Sequence, residues 1–445
     1  MALGTAAGRS CFFERTRPLS STGPPSGFAI LRERDFTLYV CARFFSSIAA
    51  QMTIVAVGWQ VYHLTGRVFD LGLIGLSQFF PFLCLSLFAG HAADTLDRAR
   101  IITLCLATFL ISALLLLFFA IGKVGSTLPI FGVLGLLGIA RAFLAPASQS
   151  FVGNLVPATA LGNAIALSSS SFQVAIIAGP SIGGIVYALG EPSSGVDNGA
   201  QWVYGVAAGL LVLSVAMMLL VTRRPKQRVR TAVSWGSMLE GLRFVWRRKT
   251  VLGAISLDLF AVLFGGATAL LPAFTQDVLH AGPDVFGYLR AAPGIGAGLC
   301  ALWLAFRPIT RRIGVSMFAG VALFGVATVV FGLTHHFWVA LVSLVLLGAG
   351  DMVSVFVRLL LVQLETPDEI RGRVSAVNSV FIGASNELGE FESGFTAAWV
   401  GLVPAIVLGG VVTLLVTGLW AWILFPKLWR LQTFEQLKDD PANGT

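Results

Sequence analysis

LLGIAR at residues 136–141 returns as LLGAGD at residues 346–351. Carried forward with no gap, VPATALGNAIAL (156–167) falls on TPDEIRGRVSAV (366–377), and GPSIGG (179–184) falls on GEFESG (389–394). The offset is 210 residues throughout, widening to about 215 near the start of each half, where CARFF (41–45) lies over SLDLF (256–260). Self-similarity at a period of nearly half the chain marks two related copies that run in the same direction.

What the copies are made of follows from composition. Of 445 residues, 56% are hydrophobic and 12% are charged, about half the charge of a soluble domain. The natural solvent of such a chain is a bilayer. Twelve stretches are apolar over the roughly 20 residues a spanning helix needs. They fall near 37–62, 70–93, 101–121, 128–150, 161–190 and 200–222, then 251–276, 284–306, 314–334, 337–362, 373–400 and 402–425. The segment 223–250 separates six from six. The expected organisation is a polar tail (1–34), a six-helix bundle (35–222), a linker (223–250), a second bundle (251–426) and a second tail (427–445). Within the linker, WGSMLEGLRFVWRR (235–248) reads as a short amphipathic helix lying on the membrane.

Basic residues crowd one alternate set of loops: Arg98 and Arg100; Arg223, Arg224 and Lys226; Arg243, Arg247 and Arg248; Arg307, Arg311 and Arg312; Arg371 and Arg373. The other set holds little beyond Arg67 and Lys123. Positive loops face the cytoplasm, and an even helix count puts both termini there. The net charge of +8 is then loop charge, with no nucleic-acid partner implied. Cys11, Cys41, Cys84, Cys105 and Cys300 show no CxxC spacing, and the five histidines form no HExxH. Neither a metal nor a cofactor is expected. No GxxxxGK[ST] phosphate loop is present, so ATP drive within the chain is not expected, and a membrane-embedded enzyme is set aside for lack of a catalytic constellation.

Three motifs carry a resemblance. GHAADTLDRAR (90–100) is similar to the signature loop between helices 2 and 3 of the major facilitator superfamily, with Gly90, Asp94, Arg98 and Arg100 matching and Asp97 in place of a glycine. AGPSIGG (178–184) in helix 5 resembles the antiporter motif through Gly179, Pro180, Gly183 and Gly184, with Ala175 where a further glycine is usual. Arg141 resembles the intramembrane arginine of helix 4. The likeness runs over about 35–430 and is nearest to the enterobactin exporter-like, or transmembrane secretion effector, branch. It implies an all-α membrane protein of twelve helices in two six-helix repeats, with helices 1, 4, 7 and 10 around a central cavity. It also implies a monomer in the bacterial inner membrane that exports a small organic molecule, a siderophore or an amphiphilic drug, by proton antiport and alternating access. A facilitator-type importer or uniporter of the same fold is the alternative. The signature-loop Asp94 would close the cytoplasmic gate by capping a helix or pairing with Arg371 or Arg373.

Ionised groups inside a bilayer survive only by facing protein or water and finding partners. The repeat sets Arg43 and Arg141 of the first half over Asp258 and Asp351 of the second. Two cations and two anions are therefore expected at matching places on the cavity wall. Asp258 and Asp351 suit proton coupling, with Arg43 and Arg141 as tuning cations or anion binders. Arg358, seven residues after Asp351, and Arg290 in helix 8 are further intramembrane cations. In helix 11, Gly383, Glu387, Glu390 and Gly394 fall on one face, spaced four, three and four. Glu387 and Glu390 read as a proton-accepting or cation-binding pair near the outer exit. A fixed salt-bridge network and hydrogen-bonded packing acids are the alternatives.

Overall fold

The computed structural model describes residues 29–191, 198–222, 235–367 and 370–433, and every regular element among them is helical. The first half comprises α1 (Arg34–Thr65), α2 (Val68–Thr95), α3 (Arg98–Ile121), α4 (Leu128–Leu155), α5 (Leu161–Leu189) and α6 (Gly199–Leu219). The amphipathic stretch forms α7 (Trp235–Arg247). The second half comprises α8 (Lys249–Phe264), α9 (Leu271–Asp277), α10 (Pro283–Phe306), α11 (Ile313–Leu333), α12 (Phe337–Glu365), α13 (Arg371–Val400) and α14 (Leu402–Leu419). A π-turn over Trp420–Leu424 extends α14, and α15 (Pro426–Trp429) follows.

Local chemistry explains the boundaries. Gly66 takes a left-handed φ of 61° and donates its N–H to the Tyr62 carbonyl, closing α1 and turning the chain directly into α2. The Asp97 carboxylate accepts from the Ala99 N–H at 2.9 Å and caps α3. So the residue that replaces a glycine in the signature loop starts the next helix.

Eleven helical stretches among the described residues are long and apolar enough to cross a bilayer. The twelfth expected span, α13, has 30 residues, about 45 Å at 1.5 Å per residue. Its length suffices, but Glu387, Glu390, Glu392, Asn378 and Asn386 dilute its apolar character.

The sequence predicts one helix over 251–276, and here the structure differs. The chain leaves α8 at Gly265 and Gly266, makes a 3-10 turn over Ala267–Leu270, and resumes as α9. The packing dictates the glycine at 266. A Cβ there would lie 2.5 Å from the Gly389 carbonyl oxygen of α13.

The two halves meet unequally. At the end of the bundle remote from the termini they share one core, in which Met52, Trp59 and Tyr187 pack with Phe274, Phe286 and Phe331. Trp59 stacks on Phe286 with ring centroids 5.9 Å apart. Toward the termini each half has its own core, one around Tyr39 and Phe151, the other around Leu257 and Phe318. Glycines permit the shared contact. Gly72 of α2 lies against Phe391 and Gly394 of α13, and Gly184 of α5 lies against Gly287 of α10. Small residues are what allow two helix backbones to approach this closely.

A half-lined cavity and a charged seam between the halves

A cavity of about 370 Å³ is lined by side chains of the first half and reaches into its core at Tyr39, Leu106 and Phe109. Arg43 of α1, Gln51, Gln78 of α2, Arg141 of α4, Gln149 and Phe172 of α5 supply its polar and aromatic character. The Arg43 guanidinium donates to Ser168 Oγ at 3.1 Å and lies 5.4 Å from the centroid of the Phe172 ring, a cation–π distance. Arg141 donates to Gln78 Oε1 at 3.1 Å and to Glu387 Oε1 at 3.0 Å. That last bond joins α4 to α13 and so joins the halves. It sits at the cavity wall: the Arg141 side chain is 48% exposed and that of Glu387 is 14% exposed.

Glu390, one turn further along α13, pairs with Arg290 of α10 at 3.5 Å. Arg290 also donates to the Thr268 carbonyl oxygen at 2.9 Å, inside the 3-10 turn that interrupts the broken helix. On its other side Glu390 meets α2. A Cβ at residue 75 would lie 2.9 Å from both Glu390 Cβ and Oε2, so Gly75 makes room for the carboxylate. Glu387 and Glu390 therefore sit on the seam between the halves, each with a guanidinium. Glu392 lies off this line and accepts from Thr396 Oγ1 at 2.8 Å.

The repeat-related quartet is rearranged. Asp258 does not face Arg43 across the cavity; it pairs with Arg358 at 2.5 Å inside the second half, with side chains 5% and 2% exposed. Neither Asp258 nor Asp351 lines the cavity. Asp351 feels the charges of both Asp258 and Arg358. The reason is geometric: Arg358, two turns after Asp351 on α12, reaches α8 within its own half, and no gap separates them. The repeat sets the register between the copies and leaves lateral neighbours open.

The antiporter-like motif is a packing surface. Gly179 and Gly183 let α5 approach Gln51 and Met52 of α1, and the Pro180 carbonyl lies 2.6 Å from where a Cβ of Gly287 would be. GPSIG (179–183) also has the G-x-S-x-G spacing of a nucleophile elbow, which the sequence reading passes over. It runs as continuous helix within α5, without the strand-to-helix turn that such a nucleophile requires.

At the signature loop, Gly90 lies within α2 and Arg100 pairs with Asp97 at 3.6 Å. Arg98 donates to the Ser150 carbonyl at 3.4 Å. The Asp94 side chain lies outside the described residues. Of its two expected partners, Arg371 donates to the Thr366 carbonyl at 3.4 Å, and Arg373 pairs with Glu240 of α7. The ion partner of Arg373 is thus the linker helix.

Three participants escape the sequence. Gln78 holds Arg141, Thr268 holds Arg290, and Tyr62 of α1 donates to the Asp277 carboxylate of α9, a tie between the halves at the remote end. Gln78 carried a signal, since an amide in the apolar run LGLIGLSQFF demands a partner.

Comparison with known proteins agrees with this architecture. The model of the transmembrane secretion effector family, a branch of the major facilitator superfamily, matches residues 25–443. The chain belongs to this family. It is 28% identical over 387 residues to the multidrug efflux pump Tap of Mycolicibacterium fortuitum, covering 82% of this chain and 91% of that one. It is 26% identical over 347 residues to the enterobactin exporter EntS of Shigella boydii, covering 77% and 80%. Among solved structures, a bacterial homologue of the lysosomal transporter Spinster, inward-facing and unoccupied, superposes with a TM-score of 0.67 at 15% identity, covering 92% of this chain and 98% of that one. A D-xylose–proton symporter gives 0.68 at 13%, covering 88% and 98%. At such identities the structures speak for the fold alone. The relatives are transporters rather than enzymes, and this chain is a multi-pass membrane transporter.

Proposed function

We propose that this protein is a secondary active exporter that exchanges protons for a small organic molecule by alternating access. The observation that carries the reading is the Arg141–Glu387 pair, which bridges the halves at the wall of the cavity. An ion pair between rigid bodies that must separate is a natural coupling element. Protonating Glu387 removes the attraction and frees Arg141, and deprotonation restores both.

In this cycle both termini lie in the cytoplasm of a bacterial cell and the remote end faces outward. The cavity then opens toward the cytoplasm, while the shared core seals the outer side. Solute enters between Arg43, Arg141 and the glutamine amides, with Phe172 offering an aromatic face. The wall suits an anionic or amphiphilic aromatic solute, of the siderophore or drug-like kind that the names of EntS and Tap indicate for those proteins. Glu387 and Glu390 take protons from outside when the remote end opens. Asp351, beside the Asp258–Arg358 pair, is a second acid available for coupling. Gly90, Asp94, Arg98, Arg100, Arg371 and Arg373 form the cytoplasmic gate. The working unit is a monomer.

Everted membrane vesicles with an imposed proton gradient test this directly. Candidate solutes, including a catecholate siderophore and several amphiphilic cations, are added singly while a pH-sensitive dye is followed. Protein-dependent collapse of the gradient by one solute class supports antiport and names the class. Solute equilibration without proton movement rejects antiport in favour of passive facilitation.

A further inference from the structure

Among the described residues, Arg290 is the one guanidinium on the seam that touches both an acid of α13 and the backbone of the interrupted helix. Its Nη2 faces Glu390 at 3.5 Å and its Nη1 donates to the Thr268 carbonyl at 2.9 Å. Thr268 lies in the 3-10 turn directly before α9. A helix interrupted inside a membrane needs partners for the carbonyls it frees, and Arg290 supplies one. The same short element carries the remote-end seal. Pro272 packs where a Cβ of Gly58 would be, Phe274 lies 4.3 Å from Phe331 in the shared core, and Asp277 accepts from Tyr62.

We propose that Arg290 is a positioning residue that transmits the charge state of Glu390 to the remote-end seal through Thr268 and α9. The proposal rests on the proton-antiport reading. With Glu390 ionised, Arg290 is fixed between carboxylate and carbonyl, and the 3-10 turn is held. With Glu390 neutral, the guanidinium loses its anion, is no longer fixed between two partners, and holds the carbonyl less firmly. The turn is then free to move, and α9 with it. The seal is poised to respond. Trp59 Nε1 and Gln276 Nε2 are buried in it with no hydrogen-bond partner among the described residues. Such orphan donors disfavour the closed state and regain partners once water enters.

The charged groups around Glu390 are few. Its own helix brings Glu387, α4 brings Arg141 to Glu387, and α10 brings Arg290. The helix packed on its other side, α2, carries Asp70 further toward its start, held by Arg67 at 3.3 Å. Gly75 and Thr268, which flank the site, do not titrate.

Hydrogen–deuterium exchange of the full chain in lipid nanodiscs reads the proposal out, with rates corrected for the intrinsic effect of pH. In the wild type, protection of residues 267–277 should fall about ten-fold between a high pH and one low enough to neutralise Glu390. Glu390→Gln and Arg290→Gln should each show the low protection at both pH values, and the double variant should show no further loss. Arg290→Lys, which keeps the charge, should restore part of the pH response. Should Arg290→Gln keep wild-type protection and pH response, or Arg290→Lys match Arg290→Gln, the link is overturned. The two readings fail separately: a normal exchange response with no proton movement in vesicles defeats antiport, whereas proton antiport with an unresponsive 267–277 segment defeats Arg290 as transmitter.

Discussion

Two intramembrane ion pairs show how placement decides what a charge can do. Asp258–Arg358 joins α8 to α12 within one half, with both side chains almost wholly buried. Arg141–Glu387 joins α4 to α13 across the seam, with the guanidinium about half exposed at the cavity. Partners within one rigid body stay together through any rocking of the halves, and water has little access to them. Partners on two bodies must part when the bodies move, and solute and protons can reach them. In the proposed cycle the first pair holds and the second switches, although the sequence offers all four residues as equals.

The largest expected effect comes from splitting the buried pair. Asp258→Asn leaves Arg358 charged and without its anion in a dry site, a situation that costs about 3–5 kcal/mol. The variant should express poorly or melt at least ~5 °C lower in a thermal-shift assay. Replacing both partners together, Asp258→Leu with Arg358→Met, should recover most of that loss, because a matched apolar pair has no ion to desolvate. If Asp258→Asn melts like the wild type while losing proton coupling, the contrast between holding and switching pairs collapses.

Glu387→Gln should do the opposite. With Arg141 half exposed at the cavity, the pair contributes only about 0–1 kcal/mol, so stability should barely change. Proton-coupled transport should fall by about 100-fold or more, for want of a group to neutralise. Vesicle assays and thermal melting on the same preparation decide this. A variant that still couples protons would shift the coupling role to Glu390 or Asp351.

Much of the fold was legible before the structure. Spans, halves and the linker helix follow from composition, because a bilayer permits little besides helices. The α13 face of Gly383, Glu387, Glu390 and Gly394 follows from helical spacing. That Arg358 and Asp351 share a face of α12 was legible too. What spacing alone did not say is which way the face turns, and it turns toward Asp258 in its own half. The interruption at Gly265 and Gly266 was hidden, because FGGATALLPAF is apolar enough to read as continuous helix. Only the backbone of α13 pressing on Gly266 shows why the helix breaks.

Gly75 sharpens the comparison at the seam. A methyl group there meets Glu390 Cβ and Oε2 at 2.9 Å, so α2 and α13 must separate or the carboxylate must turn away from Arg290. Overpacking of this kind costs about 1–3 kcal/mol, and here the cost falls on the closed form of the remote end. Gly75→Ala should reduce transport about ten-fold with normal insertion. Gly209→Ala in α6 is the control, because the space beside Gly209 is open. Equal transport by the two variants would show that the seam tolerates the extra volume.

The smallest effect concerns the Tyr62–Asp277 tie. Tyr62→Phe keeps the ring and removes only the hydroxyl that donates to Asp277. A hydrogen bond to a charged group contributes about 1.5–3 kcal/mol, but water can replace part of it at this half-buried edge. A net loss near 1 kcal/mol would shift the closed population about five-fold. Ala273, fully buried in the same contact beside Leu71, reports on it. In an Ala273→Cys background, an impermeant maleimide applied outside intact cells should label the Tyr62→Phe chain about five times faster. The outward position of this end is tested by the same reaction, since label should enter from the outside and not from everted vesicles. The tie is weak beside the glycine contacts, and that suits its place. A seal that must open every cycle gains specificity from close packing and reversibility from one bond that water can take over.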